Sequence, residues 1–126
     1  MDMEKRAREI HMTGCNCAQA VACAYAEKFG WDKNLVLKLT AGLGLGFGGS
    51  GEICGAIVGA CMVLSEKIAD MPKGERYAAI KKFVSEFNEK YGATKCPDLK
   101  NPEINGQRYN CNDLVGGAAA LLEKYV

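Results

Sequence analysis

The chain has 126 residues, 48% hydrophobic and 25% charged, enough for one globular domain with its own core. Sixteen Lys and Arg against fifteen Asp and Glu leave a net charge of +1, with no basic stripe interleaved with aromatics, so no nucleic-acid surface is expected. No apolar run reaches the ~20 residues of a membrane span, and no apolar segment follows the charged start Met1-Asp2-Met3-Glu4-Lys5-Arg6; a soluble, cytoplasmic protein that does not engage a membrane is expected.

A polar helix is predicted over residues 3–12, capped by Asp2 and broken at Thr13-Gly14-Cys15. A second helix, from about Cys17 to Phe29, carries Ala18, Ala20, Ala22, Ala24 and Ala26, which permit close packing, and stops at Gly30. Asp32 caps a third, with Trp31 and Val36 spaced for a hydrophobic staple and with Leu35, Val36, Leu39 and Leu43 as its apolar positions. The glycine-rich stretch Gly42–Gly51 leads into a central helix, about Glu52 to Ala69, whose Ile53, Ile57, Ala60, Leu64 and Ile68 recur at helical spacing. Pro72 and Gly74 precede a helix over about Glu75 to Tyr91, with Tyr77, Ile80, Val84, Phe87 and Tyr91 as its stripe, ended by Gly92. Residues 93–110 read as irregular, with one turn after Cys96. The last helix runs from about Cys111 to Tyr125, with Val115, Ala118 and Leu122 on one face. No segment alternates long enough to be a strand. The fold class expected is therefore all-α, a single domain over residues 1–126 built as a bundle of about five helices, with the glycine-rich loop before the central one.

Seven cysteines are many for such a chain. Their odd number and the lack of a secretion signal argue against a disulfide scaffold and for metal or redox chemistry. Four stand where helices are expected to begin: Cys17 after Asn16, Cys111 after Asn110, Cys54 after Ser50-Gly51-Glu52, and Cys96 before Pro97. Free N–H groups and the partial positive charge of a helix start favour a thiolate, the form that binds metal or attacks disulfides. Cys23 and Cys61 read as core. Cys15 is either a loop thiol or an extra ligand beside Cys17.

Gly44-x-Gly46-x-x-Gly49 matches the dinucleotide fingerprint literally, but a helix precedes it where a strand is required. The stretch reads instead as a tight loop whose N–H groups face an anion and which delivers Cys54 to a helix start. Gly48, Gly49, Ser50 and Gly51 are expected around a bound group. Gly55 and Gly59, four apart on one helix face, allow close approach of either another helix or a cofactor. There is no C-x-x-C, and the only histidine, His11, reads as a surface residue.

Asn16-Cys17-Ala18-Gln19-Ala20-Val21, the stretch from Gly48 through Cys54-Gly55-Ala56-Ile57-Val58-Gly59-Ala60, and then Cys96 and Cys111 resemble the redox-active family named for its C_GCAxxG_C_C pattern. The resemblance runs from about residue 12 to the C-terminus. The chain writes Cys-Gly-Ala where the pattern writes Gly-Cys-Ala, so the cysteine and the spaced glycine carry the match. A related segment occurs in split-Soret cytochromes, where it is associated with an iron–sulfur site; this chain lacks their haem attachment motif. The resemblance implies that Cys17, Cys54, Cys96 and Cys111 are the functional cysteines.

Three functions stay open on this reading. The four thiolates hold an iron–sulfur cluster, or a zinc ion, for electron transfer or sensing. Alternatively they bind no metal and cycle between dithiol and disulfide. Lastly, the chain is a structural or partner-binding helical module whose cysteines pack. A redox partner protein is expected for the first two, and the small-residue helix faces are compatible with a homodimer.

Overall fold

The computed structural model describes residues 2–126, and they are all-helical. There are eight right-handed helices rather than about five: α1 (Met3–Met12), α2 (Cys17–Phe29), α3 (Lys33–Leu39), α4 (Gly55–Ile68), α5 (Lys73–Tyr91), α6 (Cys96–Leu99), α7 (Pro102–Asn105) and α8 (Cys111–Leu122). The extra ones come mainly from the stretch expected to be irregular. Pro97 and Pro102 each sit in the first turn of a four-residue helix, where a missing N–H costs nothing.

Where caps are strong, the expected boundaries hold. Asp2 accepts a hydrogen bond from the Lys5 amide at 3.1 Å and starts α1. Asn16 starts α2 with a reciprocal capping box: its side chain accepts from the Gln19 amide at 2.8 Å, and the Gln19 side chain accepts from the Asn16 amide at 3.0 Å. Gly30 ends α2 in the left-handed conformation.

Helix α2 is the hub of the packing. Its residues from Cys17 to Ala26 are buried except Gln19, because α1, α3, α4 and α8 all pack against it. The alanines make this close approach possible, and at Gly59 of α4 the backbone of Ala18 comes so near that a Cβ would not fit. Tyr25 fills the space beside α8 and donates its hydroxyl to the Ala119 carbonyl at 2.7 Å, so a buried polar group is satisfied. Helix α8 closes the core with Val115, Ala118 and Leu122 fully buried, as expected from their spacing. Its Gly116 leaves room for Arg8, and its Gly117 for the Tyr91 hydroxyl. Arg8 reaches Asn112 at 3.0 Å and Asp113 at 3.2 Å, tying α1 to α8. Arg6 ties α1 to α2 through a two-pronged pair with Glu27 at 2.6 and 2.7 Å, and Lys33 joins the same carboxylate.

Three expectations need correction. The buried stripe of α5 is Phe83, Phe87 and Tyr91, whereas Tyr77 is 63% exposed. Only the C-terminal part of α5 fully buries large side chains; Ile80 and Val84 are partly buried against the core. The central helix starts at Gly55, not Glu52, because Ile53 is taken up in an antiparallel bridge to Lys95. The glycine stretch, expected as a tight loop, contains a regular turn of unexpected hand. Leu45, Gly46 and Phe47 hold φ of 52°, 66° and 67°, with Gly48 and Gly49 also positive. Residues 45–49 therefore form one turn of left-handed helix, a conformation that costs ~1–2 kcal/mol at each non-glycine position.

Candidate functional site

The four cysteines singled out by position do begin helices. Cys17, Cys96 and Cys111 are the first residues of α2, α6 and α8, and Cys54 is the residue before α4. The fold brings all four together. The Ile53–Lys95 bridge holds two of them: the Cys54 amide donates to the Thr94 carbonyl at 2.8 Å and the Cys96 amide to the Glu52 carbonyl at 2.9 Å. Cys17 abuts the start of α4, since a Cβ on Gly55 would stand 3.2 Å from the Cys17 Cβ. Cys111 faces Cys17, and the charge on each bears on the other and on Cys54. All are free thiols.

The left-handed turn forms one wall. A Cβ on Gly46, at φ +66°, would come within 2.8 Å of the Cys96 Cβ, and one on Gly55 within 3.0 Å of the Gly44 Cα. These positions admit only glycine without movement. The Leu45 N–H points at the Cys17 sulfur, so the anion-facing loop expected from the glycines turns toward a cysteine of the chain itself. The turn is held by the Ser50 hydroxyl, which donates to the Gly46 carbonyl at 3.0 Å and the Phe47 carbonyl at 2.8 Å. Asn16 anchors its approach by donating from Nδ2 to the Thr40 and Ala41 carbonyls, both at 3.1 Å. Asn16 thus serves both the helix cap and the approach to the loop around Cys17.

Of the glycine-rich residues expected around a bound group, Gly55 lies against the thiols, while Gly48, Gly49, Ser50 and Gly51 are exposed. Gly59 packs on the Ala18 backbone. Cys15 lies partly exposed in the loop before α2, with the Thr13 hydroxyl 3.9 Å from its sulfur. Cys23 is fully buried, and burial raises its thiol to about 11. Cys61 is raised to about 12 by burial.

Helix starts do not set all four thiols alike, contrary to the expectation of a common thiolate environment. Cys17, 8% exposed, is pushed well above the ordinary thiol range, first by hydrogen bonding to Cys111 and then by burial. Cys54, 3% exposed, is raised to about 11 by burial; the N–H groups of Ala56 and Ile57 favour its thiolate, but they close no regular cap hydrogen bond and burial outweighs them. Cys111 moves the other way, down to about 5. Cys17 is the largest cause, acting as the proton-holding partner, and burial opposes it; Lys100 adds a hydrogen bond and positive charge. Hydrogen bonding between the two thiols favours ionisation of one while the other keeps its proton.

Lys100 is the residue that the sequence did not reveal. Lys100 follows α6 in a stretch without periodicity, yet it lies beside both Cys96 and Cys111. Burial would lower its pKa, but the two sulfurs outweigh this and hold it above its ordinary value. His11 is not simply a surface residue. It is partly buried at the end of α1, and Asn112, next to Cys111, donates from Nδ2 to its Nδ1 at 3.0 Å.

Residues 15–125 match the family described as Putative redox-active protein (C_GCAxxG_C_C). The chain belongs to this family. No curated protein and no solved structure matches it. Within the C_GCAxxG_C_C family the cysteines give the name, and in this chain Cys17, Cys54, Cys96 and Cys111 meet around the left-handed turn at one end of α2, α4 and α8.

Proposed function

We propose that Cys17, Cys54, Cys96 and Cys111 are the ligands of an iron–sulfur cluster and that the chain is an electron-transfer or sensing protein. The observation that carries this reading is the convergence of four free thiols from four separate segments on one glycine-walled spot. Four cysteines are the common ligand set of such clusters. Among the described residues no group of three or more His, Cys, Asp and Glu side chains is placed to hold a metal ion, so binding a cluster would require the thiols to move.

When bound, a cluster supplies one-electron transfer at a potential set by its surroundings. The chain would shape those surroundings. Cys17 and Cys54 belong to the same buried core as Val21, Ile57 and Val115, which would keep water from the inner side. Lys100, the Leu45 N–H and the starts of α2 and α8 offset negative charge on the sulfurs. Cys96 and Cys111 are the more exposed pair and form the edge that an electron partner would reach.

The test is iron and acid-labile sulfide content, with a visible spectrum, on protein reconstituted without oxygen. Cys17→Ser and Cys54→Ser should each lose most of both elements while keeping helical circular dichroism. Full iron and sulfide in both variants would sink the proposal.

The hydrogen bonding between Cys17 and Cys111 favours a second reading, dithiol–disulfide exchange. The Cys111 thiolate would attack a disulfide of the substrate and release a thiolate. Cys17, giving up its proton, would then displace the second sulfur and leave a Cys17–Cys111 disulfide. Metal-free protein treated with an oxidised dithiol should yield a cross-linked peptide containing both residues; its absence would discard this reading.

A further inference from the structure

A second site lies away from the cysteines, roughly 20 Å along α4 from Cys54. A cavity of about 290 Å³ opens between the last turns of α4 and the first turns of α5. Ile68, Ala69, Ile80 and the Tyr77 ring give it mostly apolar walls, with the Ser65 hydroxyl and Arg76 as its polar members. Its size is at the lower end of small-ligand sites. The Arg76 Nε is buried and has no hydrogen-bond partner, and among the described residues no carboxylate pairs with its guanidinium. A buried donor of this kind is rare in folded proteins, because it has given up water for nothing.

We propose that this cavity binds a small organic monocarboxylate with an apolar body. The planar guanidinium fork matches a carboxylate. The six lining residues include no acid that would compete for it. The apolar walls suit an aliphatic or aryl body and give no compensation for dehydrating a small, multiply charged anion. The site also gives a role to Tyr77, which leaves the core stripe and stands 63% exposed at the mouth.

The experiment uses the full chain with labelled isoleucine methyls, titrated with sodium benzoate and sodium hexanoate, and with benzamide and sodium phosphate as comparators. Saturable shifts of the Ile68 and Ile80 methyls are expected with at least one carboxylate and not with benzamide or phosphate. Arg76→Met should weaken binding about 10- to 100-fold, the size of a lost charge-assisted hydrogen bond. Arg76→Lys should recover only part of it. Ile80→Trp, which fills the cavity and leaves Arg76 in place, should abolish binding. The proposal is overturned if neither carboxylate gives saturable shifts, if benzamide or phosphate moves the same methyls equally, or if the carboxylate binds Arg76→Met or Ile80→Trp as well as the parent.

Discussion

Replacing Gly59 by alanine should destabilise the protein, although alanine is the better helix former. A Cβ at this position would stand 3.0 Å from the Ala18 Cα and 3.1 Å from its carbonyl carbon, and closer still to its carbonyl oxygen. Ordinary contact begins at 3.4 Å, and the obstacle is backbone, which cannot rotate away as a side chain can. Helices α2 and α4 must therefore part. Overpacking of this kind costs ~1–3 kcal/mol, and a rigid obstacle points to the upper end. Helix propensity returns ~1 kcal/mol. The net loss of about 2 kcal/mol corresponds to a melting temperature lower by roughly 6–10 °C for a domain of this size. Gly74→Ala is the matched control. It lies in the first turn of α5 with no atom within 4 Å of the new Cβ, so it should gain about 0.5 kcal/mol through the unfolded chain. Thermal or urea unfolding of the two variants decides the matter. A Gly59→Ala protein that melts at or above the parent would refute the claim that backbone contact sets the α2–α4 spacing. Because Cys17 and Cys54 begin these two helices, Gly59→Ala should also reduce iron and sulfide uptake on reconstitution.

Lys100→Met should raise the pH at which Cys111 becomes reactive. In the reduced, metal-free protein, alkylation of Cys111 by iodoacetamide, followed by mass spectrometry, should have its midpoint near the value of about 5; the variant's midpoint should move upward, and an unmoved midpoint would mean that Lys100 does not support the thiolate. Glu27 is held down to about 2, below its ordinary 4.5, first by hydrogen bonding to Arg6 and then, against burial, by Lys33. Its contribution to stability is thus complete above its ordinary value and is lost as the pH falls from about 4.5 through about 2. Glu27→Gln should cost about 1–2 kcal/mol at pH 7, a figure reduced for the partial exposure of Arg6, and the gap between variant and parent should narrow in urea unfolding series carried toward pH 2.

How much the sequence disclosed depended on whether the information was local. Asp2, Asn16 with Gln19, and Gly30 act on residues within one turn, so α1 and α2 could be delimited from them. The same locality placed the four key cysteines at helix starts. The left-handed turn could not be foreseen, because Leu45 and Phe47 adopt positive φ only where Ser50, Asn16 and the neighbouring helices hold them. The error in the α5 stripe has a related origin: Ile80 and Val84 pack partly on the core as their spacing suggests, but the fully covered positions, Phe83, Phe87 and Tyr91, are decided by distant helices. The unequal thiol acidities were out of reach for the same reason. A helix start favours a thiolate from within the chain, whereas burial, a facing Cys111 and an adjacent Lys100 arise only when distant segments meet.

The distribution of the four thiols along the chain would make any group bound to all of them a fastener of the fold. They belong to the beginning, middle and end of the sequence, so a group bound to all of them closes long loops that an unfolded chain would otherwise keep open. Its binding free energy then adds to folding free energy in proportion to how little the unfolded chain can bind it. Opening of the seam between α1 and α8 moves His11 and Asn112 away from each other beside Cys111. Loss of the bound group would therefore be felt at the terminal helices, and fraying of those helices would in turn release the group.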